Sequence, residues 1–124
     1  MIQDVISQFI KFQQQLRILH WGTRSYARHK AFDEIYAELH GVIDKFVEVY
    51  QGKYGVIKFP SGVKVDLENA ESTDINKLLQ EFCKVLIEVV PKEIQEGPTN
   101  TDLLNIRDEI LGAVNKLKYL LRLK

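Results

Sequence analysis

Four of the side chains of metal-ligand type between positions 29 and 48 of this sequence lie at spacings that place them together on a helix. They are His29, Asp33, Asp44 and Glu48. At ~100° per residue in an α-helix, these positions fall within about a third of the helix circumference. His29 and Asp33 lie one turn apart, as do Asp44 and Glu48, so each pair could chelate one ion through imidazole nitrogen or carboxylate oxygen. The spacing therefore predicts a metal-binding face on this helix.

The two pairs are too far apart along the helix to share an ion within one chain. The step from Asp33 to Asp44 corresponds to ~16 Å at a rise of ~1.5 Å per residue. If a second copy packs antiparallel across a two-fold axis, His29 and Asp33 of one chain face Asp44 and Glu48 of the other. The sequence thus predicts two equivalent sites in a homodimer, each shared between the two chains.

His20 supplies a second imidazole to the predicted site. It lies near the end of the preceding helix, and a tight turn through Gly22 would fold it back beside His29. Two histidines and three carboxylates would then converge. A nitrogen and oxygen donor set without thiolate suits iron, manganese or zinc better than copper(I). Iron with open coordination positions would also allow redox chemistry.

Two helices must position these residues, and the apolar spacing predicts both. The first helix runs from Ile2 to Leu19. The second follows a cap at Thr23 or Ser25 and ends near Gly52 or Gly55. Apolar residues at three-and-four spacing define the buried face of each helix. They are Ile2, Val5, Ile6, Phe9, Phe12, Leu16 and Leu19, followed by Phe32, Ile35, Tyr36, Leu39, Ile43, Phe46 and Tyr50.

Two more helices are predicted in the second half of the chain. The third begins at Ser72-Thr73-Asp74, and Pro91 bends or ends it before Gly97. The fourth follows a candidate capping box of Thr99 and Asp102 and continues through Leu121. Their predicted core positions are Leu78, Phe82, Val85, Leu86, Val89, Leu103, Ile106, Ile110, Val114, Leu117 and Leu121.

The connection from Gly55 to Asn69 is the long one, and the other two are tight. It contains Pro60, Gly62 and a brief alternation at residues 63–66, and a short strand or a helical turn is expected within this connection. This pattern predicts a single all-α domain over residues 1–124, a four-helix bundle with a long crossover between the second and third helices, as in ferritin-like folds.

Composition narrows the class of function. The 124 residues carry 17 basic and 17 acidic side chains, a formal net charge of +0, so no global field draws the chain to nucleic acid or an anionic membrane. The single cysteine, Cys83, excludes an internal disulfide framework and a paired-thiolate zinc site, and is expected to be a buried small hydrophobe. No segment resembles a leader or a membrane span, so a cytoplasmic protein is expected.

Several of these residues together resemble a known family. The run Leu19-His20-Trp21, followed by His29, Asp33, Asp44 and Glu48, is similar to the ferroxidase signature of the DNA-protecting ferritins of starved bacteria, the Dps family. The intervals from His29 onward match the family's, whereas the interval between His20 and His29 is shorter and requires a tighter turn. The stretches His20–His29 and Val47–Gly55 look closer still to small uncharacterised ferritin-like proteins of phages and large DNA viruses.

The resemblance implies a function and roles for these residues. It implies that a homodimer, or a larger shell, binds and oxidises iron(II) with oxygen or peroxide at a di-iron site. His20, His29 and Asp33 would come from one subunit and Asp44 and Glu48 from its mate. Trp21, with Tyr26 near it, would be an oxidisable ring beside the metal. A viral member would act in the host cytoplasm.

Other interpretations of the same residues stay open. The carboxylates and His29 could form a solvated polar face, His20 could serve as a cation at a helix C-terminus, and Trp21 could be a core or interface aromatic. His40 shares the face but has no counterpart in the resembled family. On these interpretations the protein is a catalytically silent helical module that binds a partner. A di-metal oxidoreductase for a small organic substrate is a third possibility.

Overall fold

The computed structural model describes residues 1–95 and 98–123, and within them the protein is helical with no strand. The all-α prediction is therefore confirmed. The helices are α1 Ile2–Gly22, α2 Tyr26–Tyr54, α3 Ile75–Lys84, a π-helical turn Val85–Val89, α4 Val90–Glu93 and α5 Thr101–Leu120, with short 3₁₀ turns at Ala70–Ser72 and Pro98–Asn100. No helix in the described part of the chain is long and apolar enough to cross a membrane.

A three-residue turn joins α1 and α2 and makes them an antiparallel pair. Ser25 is the N-cap of α2, and its hydroxyl accepts the backbone N–H of Arg28 at 3.2 Å. This side chain satisfies one of the free donors at the helix start, as the sequence predicted. At the far end α2 stops at Tyr54, because Gly55 takes a positive φ of 89° that favours glycine.

Contacts between the helices fix their directions. Phe9 of α1 packs edge-on against Phe46 of α2, with ring centroids 5.3 Å apart, and Phe12 stacks on Phe82 of α3 at 4.0 Å. The ion pair of Lys53 with Asp102, at 2.6 Å, joins the end of α2 to the start of α5. Both α1 and α5 thus run opposite to α2 and α3. The long connection carries the chain back so that α2 and α3 point the same way, which is the predicted one-crossover arrangement.

The third helical segment is broken where proline interrupts its hydrogen bonds. In the π-helical turn the N–H of Val90 donates to the carbonyl of Val85, which leaves the carbonyl of Leu86 facing Pro91. Proline has no N–H to donate. Arg107 of α5 supplies the missing donor, with Nη1 at 3.0 Å from the Leu86 oxygen. The helical segment ends at Glu93, two residues after Pro91, which agrees with the prediction that Pro91 bends or ends this helix; Gly97 lies outside the described residues.

The long connection between α2 and α3 is bound to α1 by a buried polar side chain, which the spacing of the apolar residues did not predict. Gln15 of α1 is only 2% exposed, and its amide makes two hydrogen bonds to the backbone of Glu68. Its Nε2 donates to the Glu68 carbonyl at 2.9 Å, and its Oε1 accepts the Glu68 N–H at 2.8 Å. The connection Gly55–Asn69 carries neither the expected strand nor a helical turn; a 3₁₀ turn follows it at Ala70–Ser72.

The start of α5 differs from the predicted capping box. Thr99 lies in the preceding 3₁₀ turn, and the N-cap is Asn100, whose side chain makes no capping hydrogen bond. Asn100 is instead buried and accepts a hydrogen bond from the Tyr54 hydroxyl at 2.6 Å. Asp102 pairs with Lys53, and this hydrogen bond lowers the pKa of the Asp102 carboxyl below its ordinary value. Hydrogen bonds with residues of α2 thus take the place of the predicted capping box at the start of α5.

The core lies where the four apolar stripes meet, and most of its predicted members are buried. The exceptions, which are only partly buried, are Ile2, Tyr36, Tyr50, Leu78, Val85, Val89 and Leu121. Cys83 is buried and free, as expected. Leu79, Val90, Ile94 and the small Ala31 and Ala113 are core residues that the predicted set lacked.

Candidate functional site

His20 and His29 meet across the turn between α1 and α2. Their rings stack with centroids 3.9 Å apart and planes inclined by 18°. The three-residue turn Thr23–Ser25 between the two helices brings them together. The predicted approach of His20 to His29 and the tight turn are both confirmed.

The two histidines fix each other's orientation through reciprocal hydrogen bonds. Nδ1 of His20 donates to the carbonyl oxygen of His29 at 2.7 Å, and Nδ1 of His29 donates to the carbonyl oxygen of His20 at 2.8 Å. A carbonyl oxygen can only accept, so each Nδ1 must carry the proton. In the neutral ring, Nε2 then holds a lone pair. Histidines that ligate metals commonly donate their other ring nitrogen to a carbonyl in this way.

Asp33 lies one turn further along α2, next to this pair. Its Oδ1 is 4.0 Å from Nε2 of His20, too long for a direct hydrogen bond but close enough for both to contact one ion. The Asp33 side chain is 64% exposed and that of His20 is 19% exposed. These two ligand-type atoms therefore face each other at the protein surface.

Asp44 and Glu48 lie on the same unbroken helix, well away from the histidine pair. Both are exposed, as the predicted face requires, and Asp44 has His40 beside it with 3.9 Å between Oδ2 and Nε2. Within residues 1–95 and 98–123, no three His, Cys, Asp or Glu side chains lie close enough together to hold a metal ion. One chain by itself does not assemble the predicted ligand set, and the shared site stays a prediction.

Trp21 lies beside the histidine pair at the end of α1 and is 65% exposed. The interpretation of Trp21 as a core aromatic is therefore wrong for the single chain. The guanidinium of Arg17 lies 4.9 Å from the centre of the Trp21 ring and 5.2 Å from that of Tyr36. Such contacts between a cation and aromatic faces are attractive. Arg17 was not among the predicted site residues, although its position four residues before Trp21 on a helix indicates that the two side chains are neighbours.

Tyr26 is also exposed near the pair, with its ring centre 6.2 Å from that of His29. The surface at this end of the α1–α2 pair thus combines two imidazoles, one carboxylate and two oxidisable rings. Hydrogen bonds from each Nδ1 to a backbone carbonyl set the orientation of the two imidazoles. Within one chain only Nε2 of His20 and Oδ1 of Asp33 face each other, so one chain offers one nitrogen ligand and one oxygen ligand to an ion there.

The fold and this surface define an all-helical protein with an exposed histidine and carboxylate face on its longest helix. The chain belongs to a family of unknown function, DUF5856, which matches residues 20–121. It is similar to the uncharacterized 14.6 kDa protein in the mobD-ri intergenic region of Enterobacteria phage T4. The two are 32% identical over 108 residues, which cover 85% of this chain and 75% of the phage protein.

These comparisons confirm the expected relationship to phage proteins. No solved structure matches the chain. Neither matching protein group is described as ferritin-like, so the resemblance to the DNA-protecting ferritins stays a prediction. The match does span every residue of the candidate site, from His20 to Glu48.

Proposed function

We propose that this protein is a ferritin-like homodimer that binds iron(II) and oxidises it with oxygen or peroxide at two-metal sites shared between the subunits. The observation that carries the proposal is the stacked pair of His20 and His29. Both Nδ1 atoms are committed to carbonyl oxygens, so each Nε2 keeps a lone pair, and Nε2 of His20 lies 4.0 Å from Oδ1 of Asp33. The host cytoplasm is the proposed setting, in keeping with the phage relative.

The chemistry of the donors supports iron as the substrate. Imidazole nitrogen with carboxylate oxygen suits iron(II), and manganese or zinc would fit the same ligands. The bound iron supplies the electron and the oxidant takes it. The protein's residues bind and orient the ion, and the exposed carboxylates offset its positive charge.

The length of α2 supports a site shared by two chains. Asp33 and Asp44 are ~16 Å apart along an unbroken helix, so one ion cannot reach both within a chain. Antiparallel packing of two α2 helices across a two-fold axis brings Asp44 and Glu48 of each copy to the histidine pair of the other. The one-crossover order of the helices, which ferritin-like bundles share, favours the same interpretation.

Iron(II) oxidation is the experiment that tests this function. Iron(II) is added to metal-free protein in air, and ferric absorbance is followed against a protein-free control. We expect rapid oxidation that saturates with iron(II) concentration, that Asp44→Ala abolishes and that His40→Ala leaves unchanged. No acceleration by folded protein would refute the ferroxidase and favour a silent binding module. Iron binding without oxidation would direct attention to an organic substrate.

Mixing two inactive variants tests the sharing of the site. Asp44→Ala and His29→Ala each damage a different half, so a mixed dimer keeps one intact site of two. Random exchange of equal amounts makes about half of the dimers mixed, and about a quarter of the wild-type activity should return. If subunit exchange is demonstrated and no activity returns, the shared-site geometry is wrong.

A further inference from the structure

A groove of about 640 Å³ opens at the end of the bundle where α2 and α3 begin and α5 ends. Three cationic side chains line it: Arg28 from the first turn of α2, Lys118 from the last turn of α5, and Arg122 from just beyond the end of α5. The first residues of α3, Ile75 and Asn76, form another part of its wall. In the sequence these basic residues belong to two clusters that lie far apart, and the fold brings them together.

Helix stability does not explain all of these cations. Lys118 and Arg122 suit the negative end of the α5 dipole, but Arg28 lies in the first turn of α2, where the helix dipole disfavours positive charge. In the described part of the chain, no carboxylate comes within 4.0 Å of any of the three. Because the whole chain has a net charge of +0, this concentration of positive charge is a local feature.

The start of α3 adds to the positive potential of the groove. Asp74, the N-cap, uses its carboxylate to accept the N–H of Lys77 at 3.1 Å. The backbone N–H groups of Ile75 and Asn76 belong to the first turn of the helix, where no carbonyl inside the helix is available to them. The lining thus combines three cations with one carboxylate that is already engaged, a net positive surface with backbone donors beside it.

We propose that this groove binds the phosphate group of a small phosphorylated ligand. Two guanidinium groups can each give paired hydrogen bonds to phosphate oxygens, and the ammonium of Lys118 adds a point charge. The volume of the groove is in the range of small-molecule sites, so it has room for more than the phosphate. The site is separate from the histidine pair and does not depend on iron binding.

Titration followed by the backbone amide signals of Ile75 and Asn76 tests this site. The probes are inorganic phosphate, adenosine monophosphate and adenosine, each at matched ionic strength in sodium chloride. We expect saturable shifts with the two phosphates and none with adenosine. Tighter binding of the nucleotide would identify a phosphate ester as the ligand class, and equal binding would identify the phosphate ion itself. No saturable shift, or equal shifts with adenosine, would overturn the proposal.

Charge variants separate a built site from a diffuse cationic surface. Arg28→Gln and Arg122→Gln should each weaken phosphate binding about tenfold, since each removes charge-assisted hydrogen bonds to the anion. The matched control is Arg24→Gln, which removes an exposed charge beside the α1–α2 turn that does not line the groove. We expect the control to retain wild-type affinity. Equal weakening by all three variants would refute a defined site.

Discussion

Substitution of His29 separates its two roles, as part of a structural lock and as a metal ligand. Its Nδ1 donates to the carbonyl of His20, one of the last carbonyls of α1, which have no N–H partner within the helix. The carbonyl that His20 contacts in return lies inside α2 and can also accept an intrahelical N–H. Loss of the His29 donor should therefore cost more stability than loss of the His20 donor.

The size of the effect follows from one hydrogen bond at a partly exposed position. His29→Phe keeps a stacking ring but removes the donor, which should lower the free energy of unfolding by about 1 kcal/mol. For a chain of this length that corresponds to a melting temperature about 4 °C lower. His29→Asn places an amide nitrogen near the position of Nδ1 and nothing at Nε2. It should retain most of the stability and lose iron binding.

Thermal unfolding of metal-free protein, followed by circular dichroism, measures the change in melting temperature. Iron(II) titration of the folded variants measures iron binding. His40→Asn is the matched control, since His40 lies on the same helix without a bond of this kind. We expect this substitution to change neither the melting temperature nor iron binding. If His29→Asn is as destabilised as His29→Phe, the Nδ1 hydrogen bond does not have the predicted stabilising role. If His29→Asn binds iron as wild type does, Nε2 of His29 is not a ligand.

Three further predictions concern the fold that carries the site. Gln15→Leu removes both bonds to the crossover backbone and should lower the free energy of unfolding by about 2 kcal/mol in urea titrations, with exposed Gln8→Leu as the control. Gly22→Ala places a Cβ in overlap with Ala70 and should cost about 1–3 kcal/mol in the same assay, which an unchanged midpoint would contradict. Because pairing with Lys53 lowers the pKa of Asp102, its stabilising effect is present at neutral pH and is lost as pH falls below about 3.8. Melting temperatures of wild type and Asp102→Asn should therefore converge in acid.

Much of the fold could be predicted because amphipathic periodicity is a local property. A stripe of residues such as Phe9, Phe12 and Leu16 can only be buried on one side of a helix, so it fixes both the helix and its inner face. The Ser25 cap was equally predictable, since it depends on neighbours in the chain. The predicted Thr99 cap was wrong because α5 starts after buried Asn100, which accepts a hydrogen bond from Tyr54 of α2, and local rules do not predict a partner so distant in the chain.

The candidate site, like the fold, could be predicted from the sequence only in part. Helical spacing alone puts His29, Asp33, Asp44 and Glu48 on one face of α2, and the short turn alone predicts that His20 approaches His29. The reciprocal bonds from each Nδ1 to the other residue's carbonyl are not a matter of spacing, because they depend on how closely two backbones approach. The site residues could be named from the sequence, but their tautomers and orientation required the structure.

The sequence by itself determined four amphipathic helices, one long connection and a row of ligand-type side chains, since each of these follows from residue type and helical period. Only the tertiary structure decided which residues that are distant in the chain are in contact. It joined Gln15 to the crossover, Arg107 to the carbonyl left free by Pro91, and Arg28 to Lys118 and Arg122 in one groove. The physical reason is that such contacts connect residues distant in the chain, and burial and backbone hydrogen bonding select them after the helices pack.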